Sequence, residues 1–292
     1  MEGFDAARGR TEVAVLVTDA QIHVWEVDRP GRPWPQPPRN TPQREGGFSA
    51  EEALVEMDAA GVDRAVIVPP TWIGENNATG LEAAARYPGR FAVMGRFDID
   101  APDREAQLAG WLSQPGMLGI RVTFIAKPRI EQVDDGSLDW FWAACERHHI
   151  PLMVLFQGMP EKAAAIAERH PDLTMVLDHM ALNLTVPPAE AWQSLDRLEA
   201  LARYPRVHVK VSSAPNFSAE PYPYADIHPH LRRLYEAFGP RRLLWGSDFT
   251  RLRGSYVDCR RLFAEALDFL SDEDREWILG RALAEALGWT EQ

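Results

Sequence analysis

VHVKVSSAPNFSAEPYPY, residues 207–224, holds the pattern from which the rest of the chain can be read. Its first seven residues alternate in character. Val207, Val209 and Val211 fall on one face of a strand, and His208, Lys210 and Ser212 on the other. A valine face belongs against helices, so the polar face points into a closed sheet. A lysine placed there needs an anionic partner or a lowered pKa. Lys210 is therefore either an internal ion-pair member or a substrate contact or proton-transfer group. The strand runs into a long loop, Ala214 to about Tyr224, carrying Asn216, Phe217, Tyr222 and Tyr224.

Working outward, seven more β-rich runs share this design: VAVLVTDAQIHVW (13–25), RAVIVP (64–69), FAVMGRF (91–97), LGIRVTF (118–124), PLMVLF (151–156), LTMVLDH (173–179) and LLWGSD (243–248). Stretches of helical period separate them. Ser49 with Glu52 fits a capping box and Gly61 a helix stop, with Ala53, Leu54, Met57 and Ala60 as the apolar stripe. Ser137 is expected to open a helix presenting Leu138, Phe141, Trp142 and Cys145, and Ser271 with Asp274 opens the last one. Strand–helix alternation implies parallel crossovers, and eight units imply an α/β fold closed as a single (β/α)8 TIM barrel. An open doubly wound sheet usually carries a glycine-rich phosphate loop after its first strand. Here that position holds EVDRPGRPWPQPPRN. We expect an N-terminal extension over 1–12 and the barrel over 13–292.

The length of 292 residues suits one barrel, which typically takes about 250. The net charge of −12 argues against a nucleic-acid or anionic-membrane surface. It leaves room for an anionic small substrate in a locally basic pocket. Cys145 and Cys259 are expected to be packed thiols. The first twelve residues include Glu2, Asp5 and Glu12 and lack the apolar core of a signal peptide. No stretch reaches the roughly 18 apolar residues of a membrane span, so a cytoplasmic protein is expected.

Strand parity brings several reactive side chains to one mouth. Gln21 and His23 share a face of the first strand, Arg121 and Thr123 of the fourth, and Leu244, Gly246 and Asp248 of the eighth. His179 ends the sixth, opposite in parity to Asp178. The loops Glu26–Phe48 and Ala214–Tyr224 follow strands and so lie at the carboxyl face, where barrel active sites form. Trp25, Trp34 and Trp72 either pack the rim or offer an aromatic wall.

These residues carry a family resemblance. DAQIHVW (19–25) resembles the DAHxHxW opening of the amidohydrolase_2 branch of the amidohydrolase superfamily. LDHMAL (177–182) resembles its DHMG segment, WGSDF (245–249) its WGSDxP segment, and WILGRALAEALGW (277–289) its ILGxNAxxLxGL terminus. The resemblance spans Asp19 to Trp289 and implies kinship with pyrone-dicarboxylate and sugar-acid lactonases, and more distantly with zinc-dependent decarboxylases. It departs at Gln21, where the family often has the first histidine of a metal pair, and at Ala282, where it has asparagine. The fifth strand also carries no residue to bridge two metals.

The resemblance implies hydrolysis of a small carboxylated cyclic ester, with Asp248 as general base and His179 and His23 polarising the carbonyl. Gln21, Trp25, Arg121, Lys210, Ser212 and Arg251 are the expected substrate contacts, with Arg253 a further candidate. No cofactor is expected. The alternative is a zinc-dependent decarboxylase of an aromatic or muconate-type acid, with His23, His179 and Asp248 as ligands. A non-catalytic binding barrel is the third reading. The expected partner is a small-molecule carboxylate, with a homodimer possible.

Overall fold

The computed structural model describes residues 15–37 and 40–290. The expected extension over 1–12, and residues 13–14 of the first β-rich run, lie outside the described residues. Among those residues eight strands form one parallel sheet in sequential order. They are β1 (Thr18–Ile22), β2 (Arg64–Ile67), β3 (Phe91–Gly95), β4 (Met117–Thr123), β5 (Leu152–Leu155), β6 (Met175–Leu177), β7 (Val207–Ser212) and β8 (Leu243–Gly246). Helices fill every interval, as a (β/α)8 barrel requires. The first strand is shorter than its β-rich run, and β6 stops at Leu177, where a tight turn over Asp178–Ala181 begins.

The side-chain alternation is realised as two cores. Ala20, Val66, Met94, Met153, Val176 and Leu244 pack together inside the barrel. Val207, Val209 and Val211 join the larger core between strands and helices. Ala282, Leu283 and Leu287 of the final helix join the inner cluster and so stopper it at the amino-terminal end of the strands. Ala282 is fully buried there among apolar groups, a setting that offers asparagine no obvious partner.

Local signals explain most helix ends. Ser49 and Glu52 form the full capping box of the helix Ala50–Ala60, and Gly61 closes it at φ 67°. Ser271 and Asp274 form a second box. Ser137 does not cap: its N–H donates to Asp135, and the helix Asp139–Arg147 starts after Leu138. The expected stripe of Phe141, Trp142 and Cys145 is buried all the same. Among the described residues no helix is long and apolar enough to cross a membrane.

Closure of the barrel rests on one carboxylate. Asp19 Oδ1 accepts the backbone N–H of Ser247 at 2.9 Å and that of Gln21 at 2.8 Å. Its Oδ2 accepts the hydroxyls of Ser247 and of Tyr256, the latter at 2.7 Å. Asp248 N–H donates to Gln21 O at 2.9 Å, which completes the seam between β8 and β1. Burial pushes the Asp19 carboxyl up to about 6 against the pull of these donors. Gly246 lies on the seam. A Cβ there would come within 3.2 Å of Gln21 N and Ser212 Cβ, so no larger residue fits without movement.

The long loop after β1 is pinned at both ends, since Trp25 and Phe48 exchange backbone hydrogen bonds of 2.9 and 2.8 Å. Gln43 reaches across to Thr250 in the loop after β8 at 3.4 Å. The loop after β7 contains two short 3-10 turns, Ala214–Phe217 and Ala225–Ile227, and is more ordered than its composition suggests.

Two outcomes follow. Asp19→Ala strands four buried donors and should lower stability by about 3 kcal/mol or more, measured by urea unfolding. His208, mostly buried on β7, has its pKa pulled to about 4 by burial and by Arg242 and Arg206, against an ordinary 6.5. The unfolded chain then binds the proton that the fold refuses, so His208 costs stability progressively as pH falls from 6.5 toward 4. His208→Gln should remove that acid slope and gain on wild type by up to about 3 kcal/mol near pH 4.

Candidate active site

The most buried cation of the chain organises the mouth of the barrel. Lys210 is 0% exposed. Its ammonium sits 2.6 Å from Asp178 Oδ1, 2.6 Å from Gln21 Oε1 and 3.2 Å from Met153 Sδ. Three protons thus meet three acceptors, and none is left for a substrate. Of the two expected readings of Lys210, this arrangement shows the internal ion pair. Asp178 is shared: its Oδ2 accepts from Arg121 Nε at 3.0 Å. Burial works to raise the Asp178 carboxyl, but Lys210 and Arg121 outweigh it and hold it down at about 2.

Asp178 was not among the expected site residues. Strict alternation sends it to the opposite face from His179. The turn at the end of β6 cancels that parity, because His179 and Met180 have φ of 51° and 57°. Both Asp178 and His179 then face the barrel mouth. The signal was nevertheless present: two inward cations, Arg121 and Lys210, require a buried anion.

The polar chain continues through Gln21. An ammonium only donates, so the atom facing Lys210 is the amide oxygen, and the amide nitrogen faces His179 Nε2 at 3.4 Å. His179 Nδ1 lies 2.8 Å from Ser212 Oγ and 3.4 Å from Ser213 Oγ. With the Gln21 amide nitrogen donating to Nε2, the imidazole carries its proton on Nδ1 and a serine hydroxyl accepts it. Burial lowers its pKa to about 4, against the opposing pull of Asp248 and Asp178, so the ring is neutral at pH 7. Ser212 is fully buried and its hydroxyl meets the ring.

Asp248 follows β8 with φ 52° and is 1% exposed. His23 Nε2 contacts its Oδ1 at 3.0 Å. His23 Nδ1 lies 2.6 Å from Val68 O. Both ring nitrogens thus meet oxygen acceptors, an environment that suits the imidazolium. Asp248 Oδ2 is more loosely held, 3.5 Å from Ser213 Oγ and 3.8 Å from His179 Nε2. Burial disfavours its charge, but His23, His179 and Arg251 hold the carboxyl well below the usual carboxylate range. Arg251 itself is exposed on the rim, its backbone tied to Asn216. Arg253 is likewise exposed, and its N–H donates to Asn216.

Beside Arg121 opens a cleft of about 520 Å³, lined among others by Arg96, Phe97, Thr123, Phe124 and Lys127. Arg121 spends Nε on Asp178. Among the described residues its two terminal amino groups have no hydrogen-bond partner, and they are available to a ligand in the cleft. Lys127 and Arg129 are neutralised by Glu131 and Asp100. Trp25 is 1% exposed, with its indole N–H on Gly46 O at 3.0 Å and its ring edge-on to Trp72 at 5.2 Å. It packs the rim, with little surface left for the expected substrate contact.

A metal would draw on His23, His179 and Asp248. Among the described residues no group of three or more His, Cys, Asp or Glu side chains is arranged to hold one. His23 pairs directly with Asp248, His179 Nε2 faces the amide of Gln21, and the ligating oxygen of Gln21 is taken by an ammonium. This donor set does not make a ready metal centre, and no step below runs through one.

Comparison with known proteins agrees with this architecture. The amidohydrolase family model matches residues 18–288. The chain is 30% identical over 251 residues to L-fucono-1,5-lactonase of Burkholderia ambifaria, covering 82% of this chain and 83% of that protein. It is 28% identical over 250 residues to 4-sulfomuconolactone hydrolase of Hydrogenophaga intermedia, covering 78% and 76%. Its fold superposes with a TM-score of 0.76 on a Pseudomonas putida structure described as a 2-pyrone-4,6-dicarboxylic acid hydrolase, at 19% identity over 96% of this chain and 100% of that one. A barrel with these strand-end residues, matched by the family model over nearly its whole length, belongs to the amidohydrolase family and is a hydrolase.

Proposed function

We propose that the protein hydrolyses a small lactone bearing an acid group, without a metal, with Asp248 as the general base. The observation that carries this reading is the Asp248 carboxylate itself. It is buried and ionised, one oxygen is fixed by His23, and the other is loosely held 3.8 Å from His179 Nε2. Asp248 Oδ2 can accept one proton of a water seated beside it, which leaves the water's lone pair to face an electrophile. Asp248 Oδ2 takes a proton as the water oxygen bonds to the lactone carbonyl carbon. The ring C–O bond then breaks, and the alkoxide leaves with that proton, giving a hydroxy acid. A carboxylate held so low is a weak base, and its contribution is position and charge rather than proton affinity. His23 holds the other carboxylate oxygen in place through its Nε2.

Arg121 holds the acid group. Its free terminal amino groups make a fork that suits a carboxylate or sulfonate. The similarity to enzymes named for fuconolactone and sulfomuconolactone supports a lactone substrate, one neutral and one anionic. The cationic fork favours the anionic class.

Asp248→Asn keeps the shape and removes the proton acceptor. We expect lactone hydrolysis to fall by about 100- to 10,000-fold in kcat with the circular dichroism spectrum unchanged. Rates near wild type on a panel of neutral and acid-bearing 1,4- and 1,5-lactones would overturn the assignment. Arg121→Lys retains charge without the fork and should raise KM for the anionic lactones by about 10-fold or more, with little change for neutral ones. Activity should survive exhaustive chelation. Stoichiometric zinc lost together with activity would instead favour a metal route through His23, His179 and Asp248.

A further inference from the structure

We infer that Gln21 is a positioning residue: its amide passes a hydrogen-bond polarity from the buried Lys210 ammonium to His179, fixing which imidazole nitrogen carries the proton. This rests on the reading of the site given above, in which Asp248 Oδ2 takes the water's proton: a proton on His179 Nε2, 3.8 Å away, would compete for that oxygen. The geometry runs in one direction. Lys210 Nζ donates to Gln21 Oε1 at 2.6 Å, Gln21 Nε2 lies 3.4 Å from His179 Nε2, and His179 Nδ1 lies 2.8 Å from Ser212 Oγ. The lysine end is not free to reverse. An ammonium has no lone pair, and it is itself locked by Asp178 at 2.6 Å. All four side chains are at most 2% exposed, so water does not compete for the roles.

The chemistry of position 21 follows. A neutral imidazole, like an amide, has one acceptor atom and one donor atom a short distance apart. Either can accept from Lys210 and donate to His179. A glutamine where the resemblance has histidine therefore preserves the relay while giving up a metal-binding nitrogen. A glutamate accepts on both sides and would draw the proton of His179 to Nε2. A methionine fills similar space and transmits nothing.

The test reads the His179 ring directly, by long-range ¹H–¹⁵N NMR on the ¹⁵N-labelled, substrate-free, chelator-treated protein, with the signal assigned by its loss in His179→Gln. Wild type should show Nδ1 protonated and Nε2 bare. Gln21→His should keep that pattern and retain kcat within about 10-fold. Gln21→Glu should show Nε2 protonated, and Gln21→Met a mixture of tautomers, each with kcat reduced at least 10-fold and KM for the anionic lactones changed less than threefold. Circular dichroism confirms that each variant is folded. If Gln21→Glu and Gln21→Met keep the wild-type ring pattern, the relay does not exist, whatever the rates do. If the ring pattern changes as expected while no lactone is turned over by wild type, the relay stands and the lactonase reading fails.

Discussion

A lysine ammonium buried at the top of a barrel is the constraint on which this site depends. Desolvating it costs several kcal/mol unless every proton is met and the charge is paired. Asp178 supplies the charge, Gln21 and Met153 the remaining acceptors. Each of those partners is thereby committed. Asp178 also draws in Arg121, whose guanidinium is turned so that its terminal edge lines the cleft. Gln21 must present its oxygen inward, so its nitrogen reaches His179. The reactive features are thus consequences of satisfying one buried cation.

Backbone strain delivers the groups that do not lie on strands. His179, Ser213 and Asp248 follow β6, β7 and β8, and all have positive φ, at 51°, 55° and 52°. A non-glycine residue in the left-handed region costs on the order of 1 kcal/mol. Three such residues on adjacent strands mark one construction: the chain turns inward after the last ladder bond and aims the next side chain over the barrel axis. The surrounding bonds hold the turns in place. Asp248 N–H is held by Gln21 O, and the carbonyls of His179, Ser213 and Asp248 each accept an N–H from the following turn. Asp19 supports the same edge from behind by joining β1 to Ser247.

Much of this was legible in the sequence, and the rest was hidden for identifiable reasons. The alternation of Val207, Val209 and Val211 with Lys210 and Ser212 is a period-two signal that survives folding unchanged, and it disclosed both the barrel and its polar interior. Asp248, His23 and His179 end strands, so position alone brought them together. Asp178 was missed because a left-handed turn overrides alternation, and such a turn leaves no mark when the residues are not glycine. Trp25 was ambiguous because an indole on a strand end looks the same whether a loop covers it or not. Here Phe48 and Gly46 return from the far end of the loop to cover it. The difference between Lys210 as contact and Lys210 as pair member turned on a partner that parity had sent elsewhere.

The charge balance at the mouth bears on what the pocket accepts. Lys210 and Arg121 share one carboxylate, Asp178, so that part of the cluster carries one positive charge in excess. The excess resides on Arg121, the only one of these groups with hydrogen-bonding atoms turned into the cleft. A neutral lactone leaves that charge without a counter-charge until the oxyanion forms. On the proposed reading, a lactone with an acid group would neutralise it on binding, and the binding energy would then be available to place the carbonyl against Asp248. The chain as a whole carries −12, so long-range attraction would not recruit such an anion. Selection would then fall to the cleft, where a guanidinium in a low-dielectric setting acts at short range.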